Sequence, residues 1–330
     1  MNPFPRILLF AFCCIVFSFS PSLQARAYKI AVIPKGTSHE FWKSIHAGAI
    51  KAKQELEASG DKVTIVWKGP LREDDRDLQI QVVENFIAQR VDGIVLAPLD
   101  SQALVGPVET AMQTRIPVVI IDSALKTDRI TSYVSTDNYK GGQLGARHLA
   151  NLLNGSGKVI LLRYQVGSAS TEEREAGFLD TMKKEFPKIE LISSDQYAGA
   201  TRDSAYQAAQ NLLNRHGREV QGVFCPCEPI TIGMTMALRD INRARGIVKI
   251  VGFDAGAQSV DALKKGDVQG LVVQNPVKMG YLGVKAIVAH LNKASVEKKV
   301  DTGVVVITPD NMKEPAMQEL LYPPLDKYLK

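Results

Sequence analysis

The chain has 330 residues, with 40 Lys and Arg against 35 Asp and Glu and a formal charge of +5. The basic residues are interspersed, and no Lys/Arg stripe is interleaved with aromatics, which argues against a nucleic-acid surface. A chain of this length exceeds what one core organises and favours two domains. Beyond residue 27 only Cys225 and Cys227 remain, which excludes a disulfide scaffold.

Met1 to Arg6 leads into an apolar run, Ile7 to Phe19, and then into Ala25-Arg26-Ala27, a small-x-small cleavage pattern. Residues 1–27 are therefore expected to be a secretory signal that sends the protein to the periplasm, an uncleaved anchor being the alternative. The run is shorter than the ~20 residues of a membrane span. Phe12 ahead of Cys13 argues against lipidation. Loss of this segment removes Arg6 and Arg26 and leaves 38 − 35 = +3.

In chain order, β-branched runs predict strands at Lys29–Pro34, Val63–Trp67, Gly93–Pro98, Pro117–Asp122, Lys158–Tyr164, Ile189–Asp195, Gly222–Cys227, Val248–Asp254, Gln269–Gln274 and Gly303–Thr308. Helical spacing lies between most of them, as in Phe41–Leu56, where Ile45, Ala49, Ala52 and Leu56 share a face. Continuous apolar strands alternating with amphipathic helices predict an α/β fold with parallel sheets covered on both faces. Thr37-Ser38 is expected to open the first helix, Asp137-Asn138 the one holding Gly141-Gly142, and Ser170 with Glu173 forms a capping-box pattern. Gly93-Ile-Val-Leu-Ala-Pro98 and Gly222-Val-Phe-Cys-Pro-Cys227, each before a helix, suggest two similar lobes. Ligands in such sheets sit beyond the carboxyl ends of strands. That places candidates at Lys35 to Trp42, Ala97 to Ser101, Asp122-Ser123, Gln165 to Arg174, Cys227 to Pro229, Phe253-Asp254 and Gln274-Asn275.

Seven fragments in order carry a family resemblance: His39-Glu-Phe-Trp-Lys-Ser-Ile-His-Ala-Gly-Ala49, Asp92-Gly-Ile-Val-Leu-Ala-Pro98, Ile116-Pro-Val-Val-Ile-Ile-Asp122, Thr136-Asp-Asn-Tyr-Lys-Gly-Gly142, Glu173-Arg-Glu-Ala-Gly-Phe178, Val251-Gly-Phe-Asp254 and Gln274. Over residues 28–308 the chain resembles the ribose-binding branch of the periplasmic sugar-binding proteins of ABC transporters, which share a fold with lac-repressor-like effector domains. The resemblance implies two Rossmann-like lobes of the type I periplasmic binding fold, joined by a three-segment hinge near Ser135–Asn138, Gln274–Pro276 and Val304–Thr308. The lobes would comprise 28–136 with 275–304, and 137–274 with 305–330. It further implies a monomer that closes over a sugar-like ligand. The partner would be the permease of an ABC importer or, alternatively, a sensor kinase or chemoreceptor that reads a sugar or furanose-like autoinducer.

Sugar recognition needs flat apolar faces for C–H surfaces and planar bidentate groups for hydroxyl pairs. By the family pattern Phe41 and Trp42 stack on the ligand, the alternative being core residues of an amphipathic helix. Asp122 accepts hydroxyls or caps a helix. Arg174, read as lying in a first helical turn where the dipole disfavours a cation, meets the ligand from the second lobe or pairs with Glu173 or Glu175 at the surface. Asp254, after Phe253, and Gln274 bind ligand or each other. Ala97 and Cys227 stand where ribose binders place asparagines, and Lys35 and His39 replace small or amide side chains. Each lost hydrogen bond is worth ~1 kcal/mol, so ribose is not the first choice. Lys35 and His39 would suit a carboxylate or phosphate, or are solvated.

Other motifs lead nowhere chemical. Gly155-Ser-Gly-Lys158 lacks the first glycine and hydroxyl of a phosphate loop, and Gly141, Gly142 and Gly145 fall inside a helix. Cys225-Pro-Cys227 lacks histidines at metal spacing and would form a strained disulfide. No nucleophile elbow or zinc-protease helix appears. The sequence predicts a binding protein without cofactor, metal or catalytic constellation.

Overall fold

The computed structural model describes residues 26–329; apart from Arg26 and Ala27, the expected export signal lies outside them. Twelve strands form two six-stranded sheets among the described residues. The first half of the chain runs β1 (Ala27–Ile33), α1 (Glu40–Ala58), β2 (Lys62–Trp67), α2 (Arg76–Ala88), β3 (Gly93–Leu96), α3 (Val105–Gln113), β4 (Val118–Ile121) and β5 (Ser132–Ser135). It continues with α4 (Asn138–Leu152), β6 (Gly157–Leu161), α5 (Ala169–Glu185), β7 (Ile189–Ser193), α6 (Arg202–His216), β8 (Gly222–Phe224), α7 (Glu228–Asp240), β9 (Lys249–Phe253), α8 (Ala257–Lys264) and β10 (Gly270–Gln274). The end comprises α9 (Pro276–Leu291), β11 (Lys299–Asp301), β12 (Val304–Ile307), α10 (Pro315–Leu321) and a 3₁₀ turn at Leu325–Lys327.

The first sheet has the order β11-β5-β4-β3-β1-β2 and the second β12-β10-β9-β8-β6-β7. The two orders correspond strand for strand, so β3 matches β8 and β4 matches β9, as the paired glycine-led runs suggested. All pairings are parallel except β12, which lies antiparallel to β10. That strand enters the second sheet straight from β11 through Thr302–Gly303, without a crossover helix to set it parallel. The other two passages between sheets are β5 to α4 and β10 to α9. Val304 pairs with Gln274, so the third passage falls just ahead of the expected Val304–Thr308.

Alternation along each strand explains the unbroken apolar runs. Ile30 and Val32 of β1 enter one core with α1 and α9, whereas Ala31 and Ile33 enter a second core with α2 and α3. The second sheet is covered in the same way, Val159 and Leu161 facing α4 and α5, Ile160 facing α6 and α7. Each fully buried Val, Leu or Ile contributes about 1.5–3 kcal/mol. β5 and β11 escaped prediction because they are short and carry Ser132, Ser135, Lys299 and Asp301.

Helix starts differ from expectation at two places. α1 begins at Glu40 with His39 as its cap, beyond Thr37-Ser38. α5 begins at Ala169 with Ser168 as its cap and no side-chain bond there, so Ser170 and Glu173 form no capping box. Arg174 consequently lies in the second turn, and the dipole argument for it lapses. Asp137 caps α4 as expected, accepting from the Lys140 amide.

Candidate functional site

The strand ends of both sheets converge on one cleft, lined by Lys35, His39, Phe41, Trp42, Asp122, Arg174, Cys227, Asp254 and Gln274. Phe253 lies off its wall, as do the candidates Ala97 to Ser101, Ser123, Gln165 and Asn275: the Phe253 ring is fully buried and carries the Arg174 guanidinium at 3.9 Å. Ala97 is likewise fully buried, its carbonyl accepting from Gln79 Nε2.

Asp122 and Asp254 follow the matched strands β4 and β9, and both adopt left-handed backbone, with φ of 63° and 69°. A short carboxylate side chain tolerates this conformation better than a bulky one. The turn aims both side chains away from the sheet and into the cleft. Asp122 Oδ2 is 3.0 Å from Lys35 Nζ, both groups being buried. Lys35 also donates to Ser168 Oγ at 3.3 Å and Ser170 Oγ at 3.1 Å, so it joins the two lobes rather than facing water. Its charge is already met by Asp122.

Arg174 is 3% exposed, so the surface-pair alternative fails. Nε donates to Asn138 Oδ1 at 2.8 Å and Nη1 to the Pro226 carbonyl at 2.9 Å, while Asp254 Oδ2 is 4.0 Å away. Glu175 pairs instead with Arg163 at 2.7 Å. α5 can pack this close to α4 because Gly142 has no side chain; a methyl there would overlap the Arg174 carbonyl oxygen. Gln274 Nε2 donates to Asp254 Oδ1 at 2.6 Å. Burial raises the Asp254 carboxyl above the usual carboxylate range, opposed by Arg174 and the Gln274 bond.

Glu73, in the loop before α2, was absent from the sequence prediction and is the hub of the cleft. Trp42 Nε1 donates to Oε1 at 2.8 Å, His39 Nδ1 lies 2.7 Å from the same oxygen, and Tyr164 Oη donates to Oε2 at 2.7 Å. Tyr164 belongs to the opposite lobe, so Glu73 clasps the two walls together. Burial alone would raise this carboxyl, but the His39 bond and charge, then Tyr164 and Trp42, hold it down to about 2. Burial would lower the His39 imidazole, and the Glu73 bond and charge outweigh it and raise it above its ordinary value. The surrounding run, Arg72-Glu-Asp-Asp-Arg-Asp77, reads in sequence as solvated charge, and no local pattern separates Glu73 from Asp74.

The Phe41 and Trp42 rings meet edge to face at 5.0 Å. Phe41 is half-buried and Trp42 is buried, so Phe41 presents the freer ring face. Cys225 and Cys227 are buried free thiols, pushed up by burial and so poor nucleophiles. Among the described residues no group of three or more His, Cys, Asp or Glu is placed to hold a metal. No described helix is long and apolar enough to cross a membrane.

Residues 30–295 match the family model described as "Periplasmic binding protein domain". The chain belongs to the periplasmic binding protein family. It is 31% identical to a D-ribose/D-allose-binding protein of Pseudomonas aeruginosa, over 84% of this chain and 86% of the relative. An ABC transporter solute-binding protein from Agrobacterium vitis, solved with bound D-fucose, superposes with a TM-score of 0.84 at 34% identity, covering 89% of this chain and 100% of that one. A carbohydrate transporter solute-binding protein from Agrobacterium radiobacter, in complex with D-arabinose, gives 0.83 at 32% identity, covering 89% and 99%. The two α/β lobes with mostly parallel sheets are those of the type I periplasmic binding fold.

Proposed function

We propose that the protein is an exported solute-binding protein that captures a sugar in the cleft, leaves it chemically unchanged and presents it to an ABC importer. The observation that carries this reading is the convergence of buried polar side chains from both lobes, Asp122, Arg174, Asp254 and Gln274, on one cleft beside the Phe41 face. These groups supply the acceptors, donors and apolar surface that a ring of hydroxyls requires. The sugar-named relatives support it, and none of them favours the sensor alternative. Lys35 and His39 are already paired with Asp122 and Glu73, so an anionic ligand has no free cation there.

In this reading the lobes, 28–136 with 275–303 and 137–274 with 304–330, turn about the three passages as a monomer closes over its ligand. The test is a thermal-shift screen of the chain from residue 28 against D-ribose, D-allose, D-fucose, D-arabinose, other hexoses, sugar acids and polyols. A ligand at a hundredfold excess over its dissociation constant stabilises by ~2.7 kcal/mol. Stabilisation by an amino acid or nucleoside, with none by any polyhydroxy compound, overturns the sugar assignment.

A further inference from the structure

The charges of the cleft are unevenly satisfied. At one end Lys35 meets Asp122, and at the centre His39 meets Glu73. At the other end Arg174 has given donors to Asn138 and Pro226 and stands 4.0 Å from Asp254. Glu228, the first residue of α7, has no cation of its own there, and its Oε2 is buried without a hydrogen-bond partner. The carboxyl is tucked against the Gly256 backbone, where a methyl would overlap it. The groups that act on it most strongly are Asp254 after β9, Glu40 of α1 and Glu73, all acidic, and His39 opposes them; Lys43 of α1 and Arg202 of α6 line the adjoining pocket without forming an ion pair to it. Nearby Arg202 is engaged with Gln258.

A second atom points the same way. Gln274 is 2% exposed, lines the same cleft, and its Oε1 is also buried without a partner. The amide orientation follows from Asp254, whose carboxylate accepts from the nitrogen and leaves the oxygen as the free end. No protein group donates to these two acceptors at one end of the cleft, which leaves them open to donors from a ligand, and a buried acceptor left unmade costs about 1–3 kcal/mol. A hydroxyl supplies a donor but leaves the Glu228 charge uncompensated. An ammonium group supplies several donors and cancels the charge.

We propose that the cleft selects a sugar carrying a protonated amine, with the ammonium seated by the Glu228 carboxylate and Gln274 Oε1. The inference rests on the sugar reading above and narrows its ligand class. Burial and Asp254 push the Glu228 carboxyl up to about 7, and a cation beside it draws the value back toward the ordinary range.

The test is isothermal titration of the chain from residue 28 at pH 7 with paired ligands. Amino sugars with the amine at C2, C3 or C6 and cyclic imino sugars are each compared with the parent sugar and, where one exists, the N-acetyl form. At least one amine should bind about tenfold or more tighter than its parent, a difference of 1.4 kcal/mol, and N-acetylation should abolish the gain. Glu228→Gln should reduce the amine-to-parent preference to near unity, the loss falling on the amine and not on its parent, in a protein that still melts cooperatively at or above the wild-type temperature because repulsion with Asp254 is relieved. If a neutral sugar binds and none of its amine counterparts exceeds it, the inference is overturned and the sugar reading stands. If no polyhydroxy compound binds at all, both fall together, and the thermal-shift screen separates that case. Equal amine preference in Glu228→Gln and wild type also overturns the seat at Glu228.

Discussion

The two matched carboxylates sit in unlike surroundings. Asp122 and Asp254 end equivalent strands with nearly the same backbone turn. Lys35 meets Asp122 at 3.0 Å, while Asp254 has Gln274 at 2.6 Å and a guanidinium no nearer than 4.0 Å. A duplicated fold thus reproduces the placement of a side chain without its electrostatics. Charge balance depends on residues the duplication does not share, Lys35 after β1 and Arg174 within α5. The first-lobe end of the cleft is neutral in itself, and the second-lobe end awaits donors.

The sharpest way to break this comparison is to remove each charge while keeping its shape. Asp122→Asn leaves Lys35 buried and unpaired and should cost about 3 kcal/mol, whereas Asp254→Asn relieves crowding with Glu228 and should leave stability level or improved. Urea denaturation of both variants decides it, and equal losses would sink the asymmetry. Arg174→Ala should weaken ligand binding about hundredfold, close to 2.7 kcal/mol, because it removes charged donors between the lobes. Titration with whichever ligand the thermal screen finds is the measurement, and near-wild-type affinity would move the pocket elsewhere.

Glu73→Gln should destabilise by about 2 kcal/mol, with a defined pH window. The depressed Glu73 carboxyl contributes stability that is present above its unfolded value near 4.5 and lost as pH falls toward about 2. The raised His39 contributes fully below its unfolded value of 6.5 and less as pH rises through its folded value. The difference in melting temperature between wild type and variant should therefore be greatest between those limits, and a flat difference across pH would contradict the clasp. The smallest effect belongs to the C-terminal segment. The 3₁₀ turn at Leu325–Lys327 returns from the second lobe to touch α1, and Tyr322 and Leu325 wall a groove that shares Phe41, Asp254 and Gln274 with the cleft. Truncation after Leu321 should speed ligand release a few-fold in stopped-flow measurements with little change in fold, since only a short exposed contact is lost.

The sequence by itself determined the alternation of strands and helices, the two-lobed plan and nearly the whole list of cleft residues. Those features are local: apolar runs specify buried strands, and the residue after a strand lies at the sheet's carboxyl edge wherever the sheet is built. Tertiary structure alone decided how the cleft's charges pair. Lys35 reaches Ser168 and Ser170, Glu73 reaches Tyr164, and Gln274 reaches Asp254, contacts between segments far apart in the chain. Glu73 looked like one more charge in an acidic loop, and Phe253 like a cleft aromatic, until the packing buried the first among three donors and placed the second beneath Arg174. A carboxylate's role depends on which groups neutralise it, and that is a property of distances in space that no spacing along the chain records.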